Sequence, residues 1–445
     1  MTSPASPAEL ARQASERIMA DLASAERGVV VDSPPGAGKS TLVVRVAAEL
    51  TAAGERVMIA GQTNEQVDDL TDRLAAGHPS LPIGRLGARG YALPERMVRH
   101  ENVQAATNVA DLSECPVVLG TAAKWATVTE TAPWPWAIVD EAYQMRSDLL
   151  LRMAGQFEKA LFVGDPGQLD PFSTVETERW LGLSWDPMSS AVVVLLNHNP
   201  QIPVHTLPVS WRLPATAAPV VSESFYPFTG FTSATTQSER RMGWNTRPFG
   251  TNALDLALET AAESGWALYE LPHRHTLRTD GEAVRACAGL AARLLERGAI
   301  TSSERAAGSL PVTPSRIAVG VAHRDQALAV KRALAELGVR GVVVDTANRL
   351  QGREFDVTIV LHPLSGRRDA TAFHLEAGRL CVLTSRHRHA CIVVARAGIA
   401  ELLDAHPSVE PVHLGVPAKF PDGWEANQSM MSHLGQWRIP ALTRG

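Results

Sequence analysis

The segment Ser33-Pro-Pro35-Gly36-Ala37-Gly38-Lys39-Ser40-Thr41 combines the residue types that handle phosphate. Glycines at 36 and 38 let main-chain N–H groups approach phosphoryl oxygens with no Cβ in the way. The helix that follows adds the positive end of its dipole. Lys39 can then reach the β- and γ-phosphates and Ser40 can give an oxygen to Mg²⁺, while Pro35, Gly36, Ala37, Gly38 and Thr41 complete the cradle. Ser33 stands where this pattern usually has its first glycine. The second chemical element is Asp140-Glu141, which ends the apolar run 136–139. A carboxylate at the carboxyl edge of a sheet, beside such a loop, is placed to hold Mg²⁺ through water. Asp140 takes that role, and Glu141 orients and deprotonates the attacking water. Alone, the pair reads equally well as a helix cap. The loop upstream decides for chemistry.

Short strands alternating with helices must position these groups. Apolar runs at 29–31, 57–60, 117–119, 137–139 and 161–163 predict strands, each ending in small or acidic residues. Leu42, Val43, Val46 and Leu50 recur at helical spacing after the phosphate loop, as do Val67, Leu70 and Leu74 after the second run. Near-continuous apolar strands between helices predict a parallel sheet covered on both faces. Residues 229–252 are rich in Ser, Thr, Gly and Arg, which marks a linker or insertion. The alternation resumes at 266–271 and continues through 317–322, 342–345, 357–361 and 391–395, predicting a second α/β domain.

The chain has 445 residues, 45% apolar and 20% charged, with a net charge of −5. This composition suits roughly two or three folded domains and excludes a disordered, collagen-like or membrane-embedded chain. The longest strongly apolar run, 191–196, is far short of the ~20 residues a spanning helix needs, so no membrane partner is expected. No secretory signal is visible at the N-terminus. Cys115, Cys287, Cys381 and Cys391 form no CxxC pair, which argues against a zinc module and fits a cytoplasmic location. With an acidic balance, any nucleic-acid site must be a local groove.

Further motifs follow in order. Residues 59–68 carry Thr63, Asn64 and Asp68; 119–122 carry Thr121; 139–144 form a DEAxQ box; 163–171 read GDxxQLxP with Gln168. Trp211-Arg212, Val344 to Glu354 and Arg379 to Arg386 complete the series. Together they resemble superfamily 1 helicases, in the 5′-to-3′ branch that contains the nonsense-mediated-decay RNA helicase and its DNA relatives. The likeness runs from about residue 13 to residue 395 and covers motifs Ia, Ic, II, III, IV, V and VI.

That resemblance implies an α/β architecture of two RecA-like P-loop domains with parallel sheets and minimal accessory insertions. The expected boundaries are 1–228 for the first domain, 229–264 for a linker or insertion, 265–405 for the second domain, and 406–445 for an unassigned tail. It implies an ATPase that uses ATP and Mg²⁺ to translocate on, or unwind, single-stranded nucleic acid, DNA in preference to RNA and 5′ to 3′. Gln168 becomes the sensor linking the γ-phosphate to the strand, and Arg212 and Arg386 become arginine fingers. Arg388, two residues on, competes with Arg386, because Ser385 and His387 replace the usual Thr and Ala of motif VI. Trp211 replaces the usual Tyr against adenine, Gln13 matches the adenine-reading glutamine, and Gly352 and Glu354 lie at the nucleotide. Thr63, Asn64, Thr121 and Thr346 are implied contacts to the strand's backbone, which carry no sequence code. Phe172 is a candidate base-stacking residue. Relatives that unwind duplexes often carry an extra barrel or pin in the first half, and the stretch between motifs Ia and Ic is too short for a large one. An alternative reading is therefore an ATP-gated adaptor or switch that controls a protein partner through the insertion or the tail.

Overall fold

The computed structural model describes residues 5–129, 132–169, 189–246, 252–407 and 422–441. The chain divides into two compact units: Met1–Pro166 with Asp170–Leu207, and Gly167–Leu169 with Pro208–Gly445. The division falls at Leu207, where the sequence suggested residue 228. The reason is packing: the helix Ala218–Phe225 buries Val221 and Phe225 in the second unit's core, against Leu380 and Met430.

The first unit is built on eight strands: β1 (Gly28–Asp32), β2 (Val57–Gly61), β3 (Ile83–Leu86), β4 (Val103–Ala106), β5 (Val117–Thr121), β6 (Trp134–Asp140), β7 (Phe157–Gly164) and β8 (Val204–Thr206). All pairings are parallel, in the order β4-β3-β5-β2-β6-β7-β1-β8. Every residue of β1 and β2 is buried, as their unbroken apolar sequences predict for a sheet covered by helices. Three helices supply much of that cover: α1 (Pro7–Ser24), α2 (Lys39–Ala52) and α3 (Asn64–Gly77). Ile18 and Leu22 of α1, Val43 and Val46 of α2, and Leu70 and Leu74 of α3 join Val29, Val31 and Ile59 in one core. The start of α1 is fixed by Pro7 and by Ser6 Oγ, which accepts from Glu9 N at 3.2 Å. Because every strand runs the same way, the loop after β1, Thr63 after β2, Thr121 on β5, Asp140 on β6 and Gly164 on β7 share one edge.

In the second unit six parallel strands lie in the order Val343–Thr346, Ile317–Val321, Phe355–Leu361, His387–Arg396, Trp266–Leu271 and Arg438–Pro440. A small antiparallel sheet of Arg241–Trp244, Ala299–Ser302 and Leu310–Pro311 accompanies it. Residues 229–264, expected as a linker or insertion, carry structure: Thr232–Ser233 pairs with Val209–Ser210, Arg241–Trp244 joins the small sheet, and Ala253–Ser264 is a capped helix. The tail is also structured where described. The helix Gly423–Leu434 buries Ala426, Met430 and Leu434, and Arg438–Pro440 forms an edge strand. Among the described residues, no helix is long and apolar enough to cross a membrane.

Candidate functional site

Three adjacent strand ends build the centre of the first unit. After β1 the loop turns through Gly36 at φ 74° and Gly38 at φ 92°, left-handed backbone that glycine adopts without strain. Ser33 needs no glycine: its φ is not positive, and its N–H donates to Gly164 O at 2.8 Å. Gly38 supplies no side-chain cap to α2, so the first-turn N–H groups of Lys39, Ser40 and Thr41 receive no acceptor from that residue.

Lys39 Nζ makes a close ion pair with Glu141 and lies 3.4 Å from Asp140 Oδ1. Burial opposes its charge, but Asp140, Glu141 and Asp165 more than offset it, so the ammonium is held above its usual pKa. Asp140 moves the same way for another reason. Burial raises it, Lys39 pulls it down, and Glu141 raises it further. One lysine faced by three acidic side chains is a setting that suits a divalent cation. Among the described residues no group of three His, Cys, Asp or Glu forms a ready metal cage. Mg²⁺ seldom uses one, taking one or two protein ligands together with substrate phosphates.

Glu141 is the one described residue other than glycine with positive φ, at φ 54° and ψ 43°. Such backbone costs ~1–2 kcal/mol and persists where the surroundings over-determine it. The surroundings are visible. Gln144 Nε2 donates to Glu141 Oε2 at 3.0 Å, and the turn Ala142–Gln144 is pressed against the end of β7. A Cβ on Gly164 would stand 2.9 Å from the Tyr143 ring and 3.0 Å from the N atoms of Ala142 and Tyr143. Tyr143 reaches across that glycine and donates its hydroxyl to Asp32 Oδ1 at 2.5 Å, tying the turn after β6 to the end of β1. Sequence reasoning does not single out Tyr143 or Gly164 as site residues, because they support the site by packing: Tyr143 fills the variable position of the DEAxQ box and Gly164 is the first residue of GDxxQLxP.

Along the same edge, Thr63 caps α3: its Oγ1 accepts from Gln66 N at 3.3 Å, while Thr63 N donates to Gln66 Oε1 at 3.1 Å. Thr121 caps Ala122–Trp125 and accepts from Lys124 N at 3.2 Å. Gly61 at the end of β2 is paired in register with Thr121. Asn64 is exposed, and its Oδ1 accepts from Arg85 Nη2 at 2.9 Å. Arg85 is wholly buried, with Nε on Asp68 Oδ1 at 2.8 Å. Gln13 is exposed on α1, where it bonds to Glu9 at 2.7 Å.

In the second unit, Gln168 Oε1 accepts from Gln351 Nε2 at 2.8 Å, so motifs III and V are in contact. A Cβ on Gly378 would meet the Gln168 carbonyl at 2.6 Å, so only glycine lets the helix Ala377–Thr384 lie there. Gly352 turns at φ 78°. Arg212 is 9% exposed, with Nε 3.5 Å from Glu354 Oε2, and Trp211 beside it is 39% exposed. Thr346 ends the strand Val343–Thr346 and precedes the turn Ala347–Leu350. Arg386 is buried. Its Nε donates to Val382 O and its Nη2 to Ser385 Oγ, both at 3.0 Å, and Nη1 has no hydrogen-bond partner. Arg388 lies 3.7 Å from Glu304, in a group with Arg240 and Arg305. Burial, Arg305 and Arg240 together hold its pKa below the usual arginine value. Phe172 lies outside the described residues.

A family model described as an AAA domain matches residues 10–182. The chain is 27% identical over 161 residues to "DNA replication ATP-dependent helicase/nuclease DNA2" of Gallus gallus, across 34% of this chain and 16% of that protein. It is 32% identical over 65 residues to "DNA polymerase alpha-associated DNA helicase A" of Schizosaccharomyces pombe (strain 972 / ATCC 24843), across 15% of this chain and 10% of that one. The matches therefore span a small part of both relatives. Among solved structures, "The structure of PRRSV helicase" aligns at a TM-score of 0.42 and 15% identity, over 85% of this chain and 54% of that one. "Complex structure of Arterivirus nonstructural protein 10 (helicase) with DNA" aligns at 0.43 and 13%, over 88% and 64%.

Proposed function

We propose that this chain is a helicase of the superfamily 1 type, an ATP-driven motor that moves along single-stranded nucleic acid. The observation that carries the proposal is Lys39 held against Asp140 and Glu141 at the edge shared by β1 and β6. In that geometry Lys39 can exchange its carboxylate partners for β/γ-phosphate oxygens. Glu141, released from the ion pair, is then free to take a proton from water. Ser40 and Asp140 would hold Mg²⁺, which neutralises phosphate charge when bound. Gly36, Gly38 and the first turn of α2 cradle the phosphates with main-chain N–H groups. Arg212 and Arg386 answer the charge that develops on the γ-phosphoryl group, Trp211 offers an exposed indole face to adenine, and Gly352 and Glu354 complete the nucleotide side.

Thr63, Asn64 and Thr121, with Thr346 of the second unit, would form the strand's track. Polar contacts to phosphate do not read sequence, as translocation requires. By resemblance we propose 5′-to-3′ movement and DNA in preference to RNA. One observation favours the adaptor as a second reading: between motifs Ia and Ic the described chain holds the rest of α3, β3, β4 and short helical turns, with no barrel or pin. ATPase measured with poly-dT, with poly-U and with neither separates the two. A motor is stimulated by one or both polymers. Lys39→Ala should lose productive ATP binding, and Glu141→Gln should bind ATP without turning it over. Normal turnover in Glu141→Gln would rule out this base.

A further inference from the structure

One buried arginine outside every helicase motif touches the backbone of both arginine-bearing segments. The side chain of Arg240 is 1% exposed and forks onto Glu304, with Nε to Oε2 at 3.0 Å and Nη2 to Oε1 at 2.8 Å. Its remaining reach is spent on main-chain carbonyls. Nη2 donates to Trp211 O at 2.9 Å, and Nη1 donates closely to Arg212 O and, at 3.5 Å, to Arg388 O. Arg305, next to Glu304, donates to Trp211 O at 3.0 Å and sits 3.4 Å from Glu354. Glu354 in turn faces Arg212.

Four arginines and two glutamates thus share one locus, and the excess positive charge is a reason for Glu304 to stay ionised. The bond to Arg240 holds its carboxyl down to about 2, against the smaller opposing effect of burial. A guanidinium suits the position because its planar fork serves a carboxylate and carbonyls at once. A single ammonium cannot do so with the same geometry.

We infer that Arg240, locked by Glu304, is a positioning residue that sets the spacing between the Trp211-Arg212 segment and the strand that begins just after Arg386. The inference rests on the proposed ATPase function. Arg240 touches no reacting atom; it acts through the two segments that carry the proposed fingers. Misplacing such groups by ~1 Å costs on the order of 10²-fold in rate.

The test uses the full chain with Arg240→Lys and Glu304→Gln. For each variant kcat, KM for ATP, melting temperature, and affinity for MgADP with and without aluminium fluoride are measured. Arg240→Lys should lower kcat about 10²-fold and weaken the aluminium fluoride complex by a similar factor, with MgADP affinity little changed. Glu304→Gln should act in the same direction with a smaller effect. A purely structural role predicts that melting temperature and MgADP affinity fall together with kcat, and that result would overturn the inference. So would wild-type kcat in either folded variant. Where Arg240→Lys does not fold, Glu304→Gln carries the decision. If instead the unmodified chain hydrolyses no ATP, or Lys39→Ala hydrolyses it equally well, the proposed function itself fails.

Discussion

Gly164→Ala adds one methyl group at the point where the turn after β6 lies against the end of β7. The new Cβ would sit 2.9 Å from Tyr143 Cδ2 and 3.0 Å from two backbone nitrogens, those of Ala142 and Tyr143. Relaxed heavy-atom contacts lie near ~3.5–4.0 Å, so the turn must retreat by about 0.5–1 Å. A flexible side-chain tip could absorb that cheaply, but backbone cannot. Glu141 precedes the turn in already strained backbone, so its carboxylate shifts with it. Overpacking of this kind costs about 1–3 kcal/mol, and a displacement approaching 1 Å at a catalytic group lowers turnover by up to about 10²-fold. We therefore expect Gly164→Ala to lower ATPase kcat by ~10–10²-fold, with a melting temperature depressed by only a few degrees. Gly155→Ala is the control, since a Cβ there meets nothing within 4 Å. Steady-state ATPase and a thermal melt on both variants suffice. Wild-type kcat and melting temperature in Gly164→Ala would show that close approach does not set the position of Glu141.

Three further outcomes follow from the same geometry. Arg212→Ala and Arg386→Ala should each cut hydrolysis by about 10³–10⁵, measured as single-turnover ATPase. A mild Arg386→Ala beside a severe Arg388→Ala would move the finger to Arg388. If about five phosphates are gripped, log affinity for a labelled oligonucleotide should fall with log salt at a slope near −3.5. Thr63→Ala or Thr121→Ala should weaken binding and polymer stimulation while basal ATPase survives, and Gln168→Ala should keep binding but lose stimulation. No binding at low salt, in either nucleotide state, would sink the motor. Finally, burial pushes His362 down to about 3, and burial with His389, Arg240 and Arg212 pushes His387 to about 3. Both are neutral when folded and take up protons on unfolding below pH 6.5. Stability should therefore fall as pH drops below 6.5, and His323 and His374, which burial holds at about 4, add to the loss. Denaturant melts read this slope, and His387→Gln should make it shallower by up to about 1.4 kcal/mol per pH unit near pH 5.

The first unit was legible because its signals are local. Unbroken apolar strands, a glycine loop and an acidic pair each fit within a few residues, and the strands formed close to where the pattern put them. What escaped was set by distance in sequence. Arg240 lies in a stretch rich in Ser and Thr, and its partners are at 211, 212, 304 and 388, so no window holds the pattern. The tail helix buries Gly423, Ala426, Asn427, Met430 and Leu434, a helical period carried partly by small and polar residues that no hydrophobic count emphasises. Asn64 shows the converse. Its motif was visible, but the buried Arg85 that aims its amide lies on β3, in a stretch that resembled nothing.

The peptide after β7 gives the motor proposal its coupling element. Asp165 supports the charge on Lys39, and three residues later Gln168 belongs to the second unit, where it bonds to Gln351. On the proposed motor, a change in phosphate occupancy that alters the demand on Lys39 and its carboxylates would act at one end of a four-residue segment whose other end, Gln168, bonds to Gln351. So short a segment has little slack, at most ~3.3–3.6 Å per residue when extended. The Gln168 carbonyl is in addition packed against Gly378, where even a methyl group would not fit. Lengthening this segment should uncouple the two ends more completely than mutating either of them. One glycine inserted between Asp165 and Gln168 leaves Lys39, Asp140, Glu141 and Thr63 untouched. Basal ATPase and oligonucleotide binding should each survive, while stimulation of the first by the second disappears. Stimulation that persists in the lengthened chain would mean that the coupling runs by another route.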